Sequence, residues 1–512
     1  MSTINDQNAT ADLVKASFAK PSEDIARTIL TAAGLGTDEL AKSITTGTGL
    51  VAYDLQAPAK NLYPVVTPLR NRIPRIPGGI GTATNWKQVN AILGSGFDNT
   101  GWVPEGQRSG TMSYSTSNKS AAYATLGEED NATFEAINAG RGFEDIRASM
   151  SMRLLQKTML KEETAILGGN ASLQLGTPAA PVLSAAGSSA TLAAATYSVI
   201  VVALTLEGYR NSSVTNGVAT SKTVTGADGN NFTVFGGSSN KSAGATQAVT
   251  LGQALSATVA PIQGAMGYAW FAGPAGSETL QAITPINSVV FSAPLSTGGQ
   301  PVSAVTQDCS TNSTAFDGLA TVALKTGNGA YVRYLPTGNA GQGTTLTPSG
   351  RGSCVEVDDM LQSMWDAYQV SPDVLYVNSQ EIRSLSAVCL SSGSSPLLQY
   401  FQSPEAAYGL TGGGTISYYY NPFMLNGGQR MPVKIHPQVP PGTILAWCET
   451  LPVQYQSNEV PNVAEMKVRQ DYYQIDWPIK TRRRESGVYV EETLAVYAPF
   501  AMGVISNIAK RS

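Results

Sequence analysis

The single histidine of the chain limits the acid–base chemistry that it could perform. His436 lies in the run Val433–Pro437, and because it precedes Pro437 its backbone is biased towards an extended conformation. Sites with several histidine ligands are excluded, and a Ser/His/Asp or Cys/His centre would have to use this imidazole. We predict an exposed histidine at a strand end, and we keep a hydrolase that uses His436 as one alternative.

The cysteines also argue against chemistry, because none of them forms a Cys-x-x-Cys pair. Such pairs are typical of zinc ribbons and thioredoxin-like redox sites. The segment Met1–Asp6 lacks the basic and then apolar pattern of a signal peptide. We therefore predict reduced, buried cysteines in a protein that folds in a cytoplasm. The four are Cys309, Cys354, Cys389 and Cys448.

Motifs for phosphate binding and for nucleophilic attack are missing from the sequence. There is no Gly-Lys dipeptide to complete a P-loop and no Gly-x-Ser-x-Gly elbow. The acidic pairs Glu128-Glu129, Asp358-Asp359 and Glu491-Glu492 are adjacent in sequence, so their side chains point to different faces of a helix or strand. We predict that these pairs are solvated, and we predict no catalytic residue, no cofactor, no metal site and no enzymatic activity.

Composition and charge exclude further classes of function. The 512 residues carry 33 Lys and Arg against 37 Asp and Glu, which gives a net charge of −4. This balance does not indicate a protein that mainly neutralises phosphates. The longest apolar run, Tyr197–Leu206, is half of the ~20 residues that a membrane-spanning helix needs, so we predict no membrane contact.

The elements that would position any site begin with an arm and a hairpin. Residues 1–80 are polar or proline-punctuated, and we interpret them as an N-terminal arm whose part from Leu62 to Pro77 is extended. Within residues 81–140, strand-like segments at 82–93 and 118–126 flank a tip that carries Trp102–Gly106. A long hairpin has little core of its own, so we expect it to pack on a neighbour, such as another copy of the chain.

The remaining sequence divides into four further regions by its composition and periodicity. Residues 141–177 contain a helical pattern from 142 to 167. Residues 178–305 are poor in charge and rich in short strand patterns, which favours a β-sandwich. Residues 306–470 alternate helix and strand patterns, and we predict helices at Asp358–Tyr368 and Ser379–Leu390 with a buried strand at Pro372–Val377 between them. Residues 471–512 have the alternation of sheet strands, with Arg482–Arg484 in a turn.

In this order, the arm, the hairpin with Trp-Val-x-Glu-Gly, the long helix ending near Ala165–Gly169, the α+β region and the closing strands resemble the HK97-type major capsid proteins of tailed bacteriophages. The resemblance implies an α+β capsid fold with an N-arm, an E-loop at 81–140, a P-domain formed by the spine helix and 471–512, and an A-domain at 306–470. The sandwich at 178–305 would be an immunoglobulin- or fibronectin-like insertion, which departs from the family pattern.

The resemblance also implies roles for particular residues. Trp102, Val103, Glu105 and Arg108 would make E-loop contacts between subunits, with Gly106 beside them. Met152, Leu155 and Leu167 would belong to the spine. Self-crosslinking cannot be transferred, because residues 101–118 contain no lysine.

The function implied is a structural shell protein that forms pentamers and hexamers of an icosahedral phage capsid around double-stranded DNA. It would assemble in the host cytoplasm with portal and scaffolding proteins, touch DNA by weak non-specific contacts, and display the insertion outside. Arg482, Arg483 and Arg484 would face DNA or a neighbour's carboxylates, with a solvated turn as the alternative. A phage adhesin or tail fibre that uses the sandwich for binding is the other alternative, although repeats and heptads are missing.

Overall fold

A computed structural model describes residues 66–91, 102–108, 115–141, 145–226, 228–350, 352–391, 415–424, 427–451 and 461–511. Of the predicted arm, residues 1–65 lie outside the described residues. The helices are α1 (Phe134–Ala139), α2 (Ile146–Gly168), α3 (Leu206–Asn211), α4 (Leu319–Leu324), α5 (Val355–Tyr368) and α6 (Ser379–Ser391).

Strands make up most of the regular structure, so the fold belongs to the α+β class. The first ten are β1 (Arg75–Pro77), β2 (Ala83–Ala91), β3 (Ser115–Ala122), β4 (Ala124–Thr133), β5 (Val182–Ala186), β6 (Ala195–Leu204), β7 (Ser221–Thr225), β8 (Asn231–Phe235), β9 (Ala245–Val249) and β10 (Ala254–Thr258). The others are β11 (Gly267–Gly273), β12 (Thr279–Thr284), β13 (Ser288–Phe291), β14 (Tyr331–Tyr334), β15 (Val374–Val377), β16 (Tyr418–Asn421), β17 (Gln429–Ile435), β18 (Ile444–Trp447), β19 (Ala464–Asp476), β20 (Arg483–Val496) and β21 (Met502–Ser506).

Contacts divide the described residues into two compact units. The smaller unit contains residues 127–158 and 472–489, and the larger contains 66–126, 159–471 and 490–511. The division does not follow the predicted domains, because the E-loop region (81–140), the spine region (141–177) and the C-terminal region (471–512) each contribute to both units.

The smaller unit is built around α1 and the first part of α2. Thr133 caps α1, since its side chain accepts a hydrogen bond of 3.2 Å from the backbone N–H of Ala136. Helix α2 has 23 residues, a length of about 35 Å, which confirms the predicted long helix. Its first turns bury Ile146, Met150 and Leu154 with residues of α1 and β20.

The larger unit is organised by a mixed six-stranded sheet in the order β14-β21-β18-β15-β17-β16. Strands β15, β18 and β21 are buried along their whole length, as their continuous apolar sequences require for central strands. Helices α5 and α6 contribute Met360, Met364 and Leu385 to its core, and both helices occur where the sequence predicts them.

The strands of residues 471–512 belong to two different sheets. Strand β21 pairs in parallel with β14 and antiparallel with β18 in the six-stranded sheet. Strands β19 and β20 belong to a different sheet, in the order β1-β19-β20-β4. The apolar sequence of β21, Met-Gly-Val-Ile-Ser, suits a strand that is covered on both faces better than one with a face in water.

The region predicted as a sandwich forms two sheets within the larger unit. Strands β13-β10-β5 make one sheet and β12-β11-β6-β9 make the other. Alternate residues of β6 and β11, such as Val201 and Trp270, share a buried cluster with Leu255 of β10. The opposite face of these two strands, including Val202 and Phe271, is buried in a second cluster. This explains why the sequence of β6 is apolar without alternation.

Candidate functional site: the hairpin tip and the ionic clusters

The β2–β3 hairpin ends in an exposed tip that carries four of the predicted site residues. Trp102 is 93% exposed, Val103 is 40% exposed, and Glu105 and Arg108 are also exposed. A turn closed by a 3.0 Å hydrogen bond from the N–H of Gln107 to the carbonyl of Pro104 shapes the tip. Leaving an indole in water forgoes about 2 kcal/mol of burial free energy.

The base of the hairpin, in contrast, is fixed to its own chain. The indole N–H of Trp86 donates a 2.9 Å hydrogen bond to the carbonyl of Val496. Gln88 is 2% exposed, and its side-chain amide donates to Asn328 over 3.0 Å. From the sequence we expected the hairpin to pack on a neighbouring molecule. The base of the hairpin instead packs on other residues of the larger unit. Trp102 and Val103, in the described part of the tip, are exposed.

The arginine triplet lies in the smaller unit and is mostly engaged by that unit. Arg482 forms an ion pair with Glu135, while the guanidinium of Arg484 lies 5.8 Å from the ring centre of Phe134. Arg483 is exposed at the first position of β20. The predicted turn therefore holds Arg482 alone, and Arg483 and Arg484 already belong to the strand.

A groove of about 260 Å³ lies in the same smaller unit. It is lined by the first turn of α2, by Trp477 and Ile479 in the connection between β19 and β20, and by Arg484 of β20. Trp477 is fixed by a 3.1 Å hydrogen bond from its indole N–H to Glu129. Apolar rings with charged rims are typical of surfaces that bind protein segments.

His436 is fully buried, so the predicted exposed histidine is wrong. Its Nε2 lies 2.6 Å from Oε1 of Glu163, and its Nδ1 accepts a 3.1 Å hydrogen bond from the backbone N–H of Gln438. Because Nδ1 is an acceptor, Nε2 carries the hydrogen and donates to Glu163. Hydrogen bonds within the chain therefore occupy both ring nitrogens.

Glu163 fixes an N-terminal segment of the chain as well. Its Oε1 accepts the backbone N–H of Leu69 at 2.9 Å, and its Oε2 accepts the N–H of Arg70 at 2.8 Å. A carboxylate with three such donors can be buried because its lone pairs are satisfied. The adjacent residue on α2, Glu162, binds the side chains of Arg70 and Arg75.

Glu492 corrects the prediction that adjacent acidic residues lie at the surface. Its side chain is 0% exposed and its Oε2 lies 3.1 Å from a guanidinium nitrogen of Arg75. Burial, together with the charge of Glu162, raises the pKa of Glu492 to about 8. A signal that could have found it is the alternation of Arg70, Arg72 and Arg75 with apolar residues, because arginines beside buried apolar positions need acidic partners.

The cysteines are buried as well. All four cysteines are free and buried, as predicted, and burial raises the pKa of Cys389 to about 11. Among the residues that the structure describes, no cluster of His, Cys, Asp and Glu could hold a metal ion. No helix in this described part of the chain is long and apolar enough to cross a membrane.

Solved structures similar to this chain include capsids and an encapsulin. The capsid of an empty GTA particle is 10% identical, with a TM-score of 0.39 over 91% of this chain and 99% of that chain. The capsid of Myoviridae phage XM1 is 9% identical, with a TM-score of 0.35 over 89% and 100%. The SrpI encapsulin of Synechococcus elongatus PCC 7942 is 15% identical, with a TM-score of 0.22 over 36% of this chain.

The match to the encapsulin spans 56% of that protein's length. All these TM-scores lie below 0.5, so the likeness alone assigns neither fold nor function. No protein-family model matches the chain, and no curated protein sequence matches it.

Proposed function

We propose that this chain is the major capsid protein of a tailed phage, and that it self-assembles into pentamers and hexamers of a shell around double-stranded DNA. The observation that carries the proposal is the hairpin, whose base is anchored by Trp86 and Gln88 while Trp102 at its tip is 93% exposed. A fixed base with an exposed aromatic tip suits an arm that binds another molecule.

The partner that we propose for this arm is a second copy of the chain. Burying Trp102 and Val103 in a neighbour would contribute about 3 kcal/mol per contact, and a closed shell repeats the contact through its symmetry. Glu105 and Arg108 follow the apolar pair in the sequence and would fix its orientation through charge pairs at the rim. Low net charge permits dense packing of many copies.

The test compares assembly of the full chain with that of two single variants. Trp102→Ala should abolish or strongly reduce closed shells in negative-stain micrographs and shift sedimentation to small species. Leu251→Ala, which truncates another exposed apolar side chain, is the matched control and should assemble normally. Equal assembly of both variants would contradict the role of the tip. If the wild-type chain formed no shells even when expressed with its neighbouring gene products, the proposed function would be wrong.

We propose further that residues 178–305 lie on the outside of the shell. Strands β7 and β8 form an exposed hairpin whose turn at Gly229 faces open space. A short epitope tag inserted at this turn should bind antibody on intact particles. Binding that requires disrupted particles would place the insertion inside. The same particles should protect double-stranded DNA from nuclease if the shell encloses it.

We propose that Arg483 makes the contact with packaged DNA. Of the triplet, Arg482 pairs with Glu135 and Arg484 lies over Phe134, so Arg483 is the residue best suited to bind phosphate non-specifically. Portal and scaffolding proteins are the other expected partners. Arg483→Ala should leave shell formation intact and lower the amount of DNA per particle; an unchanged DNA content would exclude this contact.

A further inference from the structure

The hairpin at one edge of the six-stranded sheet exposes two tyrosine rings. Among the described strands, β16 pairs only with β17, so it forms the edge of the sheet. Burial alternates along β16: Tyr419 and Asn421 are buried, whereas Tyr418 is 60% exposed and Tyr420 is 57% exposed. Alternate residues of a strand share a face, so both exposed rings belong to the same face of the hairpin.

One of the two rings is fixed by the turn that joins the strands. The hydroxyl of Tyr420 donates a 2.7 Å hydrogen bond to the carbonyl of Gly427. Gly428 has a φ of 106°, and a side chain at this position would collide with the Tyr420 hydroxyl. The ring is therefore ordered before any ligand arrives, which lowers the entropy cost of binding.

The same face carries two cations that have no carboxylate partner. Arg430 of β17 lies directly opposite one of the exposed tyrosines, and Lys434 lies four residues further along that strand. Among the described residues, neither cation forms an ion pair. Burial and the nearby charge of Arg72, which itself pairs with Glu449, lower the pKa of Lys434. Residues 406–448 contain no Asp or Glu, so this face is complementary to an anionic ligand.

The spacing of the tyrosines suits a ligand with stacked bases. Each residue of a strand advances the chain by about 3.3 Å, so positions two apart are separated by about 6.6 Å. Successive nucleotides of one strand are about 3.4 Å apart, so the two tyrosines are separated by about two base spacings. This gap is wide enough for one base. An acidic peptide could bind the cations but would have no aromatic rings to match the tyrosines.

We propose that this face of the β16–β17 hairpin binds single-stranded nucleic acid, with bases stacked on Tyr418 and Tyr420 and phosphates bound by Arg430 and Lys434. Every base has an aromatic face, so the binding is independent of sequence. Duplex DNA has its bases stacked on one another and would bind only through its phosphates. The ligand thus differs from the double-stranded DNA that the shell is proposed to enclose.

Fluorescence anisotropy of labelled probes on the full chain at low salt tests the role of the rings. Oligothymidine should bind at least tenfold more tightly than an abasic oligomer of equal length and charge, because the bases stack on the tyrosines. Tyr418→Ala and Tyr420→Ala should each weaken oligothymidine binding about tenfold and leave the abasic probe unchanged. Phe232→Ala removes another exposed ring, which is 54% exposed, and as the matched control should bind like the wild type.

The role of the cations is tested with the same probes. Arg430→Gln should weaken the binding of both oligomers and lower the slope of affinity against salt by about one counter-ion. Oligouridine is compared with oligothymidine in the wild type. Binding of either supports the proposal, and the tighter of the two identifies RNA or DNA as the ligand.

Equal affinity for oligothymidine and the abasic probe would overturn the proposal, and so would an equal loss in Phe232→Ala. Polyglutamate that binds as tightly as oligothymidine would identify an acidic protein segment as the partner instead and would also overturn it. If Tyr420→Ala does not fold, Tyr418→Leu decides, because leucine keeps an apolar side chain but removes the flat ring. Repeating the titrations in the Trp102→Ala chain makes the result independent of shell assembly, so failure of this site and failure of the capsid function are distinguishable.

Discussion

Replacing Glu163 by Gln tests whether one buried carboxylate fixes the N-terminal segment. The carboxylate accepts hydrogen bonds from the N–H groups of Leu69 and Arg70 and from the ring of His436, at 2.9, 2.8 and 2.6 Å. The amide of Gln has the same shape, but it has one acceptor oxygen and a donor nitrogen. At least one N–H group would then face another donor without a partner.

The expected cost follows from the number of hydrogen bonds lost. A hydrogen bond to a charged group contributes about 1.5 to 3 kcal/mol, so one lost bond costs about 2 kcal/mol and accelerates local opening about 30-fold. Hydrogen exchange read by mass spectrometry on the peptide that spans Leu69–Ile73 measures this opening. We expect Glu163→Gln to speed exchange there by this factor at neutral pH.

The control is Glu105→Gln at the exposed hairpin tip, where no described contact changes and exchange at Leu69–Ile73 should match the wild type. Unchanged exchange in Glu163→Gln would refute the reasoning, because it would mean that the segment is held without the carboxylate. Equal acceleration in both variants would show a general effect of lost charge.

Three further changes probe other parts of the chain. His436→Ala removes the donor to Glu163 and leaves a cavity, and should lower the free energy of unfolding by about 3 kcal/mol in thermal denaturation; an unchanged midpoint would contradict its structural role. A thiol reagent at pH 8 should leave the native chain unlabelled and label four cysteines in denaturant, since burial raises the pKa of Cys389 to about 11; fast native labelling would show that the thiols are accessible. Gly127→Ala places a methyl group against the ring of Tyr489 and should destabilise the smaller unit by about 2 kcal/mol, an effect that Tyr489→Ala in the same chain should reduce if the clash is its cause.

Local patterns in the sequence predicted the elements whose packing is regular. Helix α5 and strand β15 were predicted from apolar spacing. Apolar residues that recur every 3.6 residues indicate a helix, and a short continuous apolar run indicates a buried strand. The position of the hairpin tip was predicted because Trp102 lies between two strand-like segments. These features depend on residues close together in sequence, which a single chain displays directly.

Features that depend on distant pairing were not predicted. His436 becomes buried because Glu163, 273 residues away, accepts its hydrogen bond, and Glu492 becomes buried because Arg75 lies beside it. Taken alone, each is a polar residue that belongs in water. The placement of β21 was missed for the same reason, because its partners β14 and β18 come from other parts of the chain.

Strand β21 occupies the second position of the six-stranded sheet, between β14 and β18. It is the strand that joins β14 to the other strands of this sheet. Because β14 and β21 lie far apart in the sequence, closing the sheet requires a long-range contact, which slows folding. A change that weakens β21 would therefore loosen β14 and the packing of Met360 of α5 beside Gly503 together.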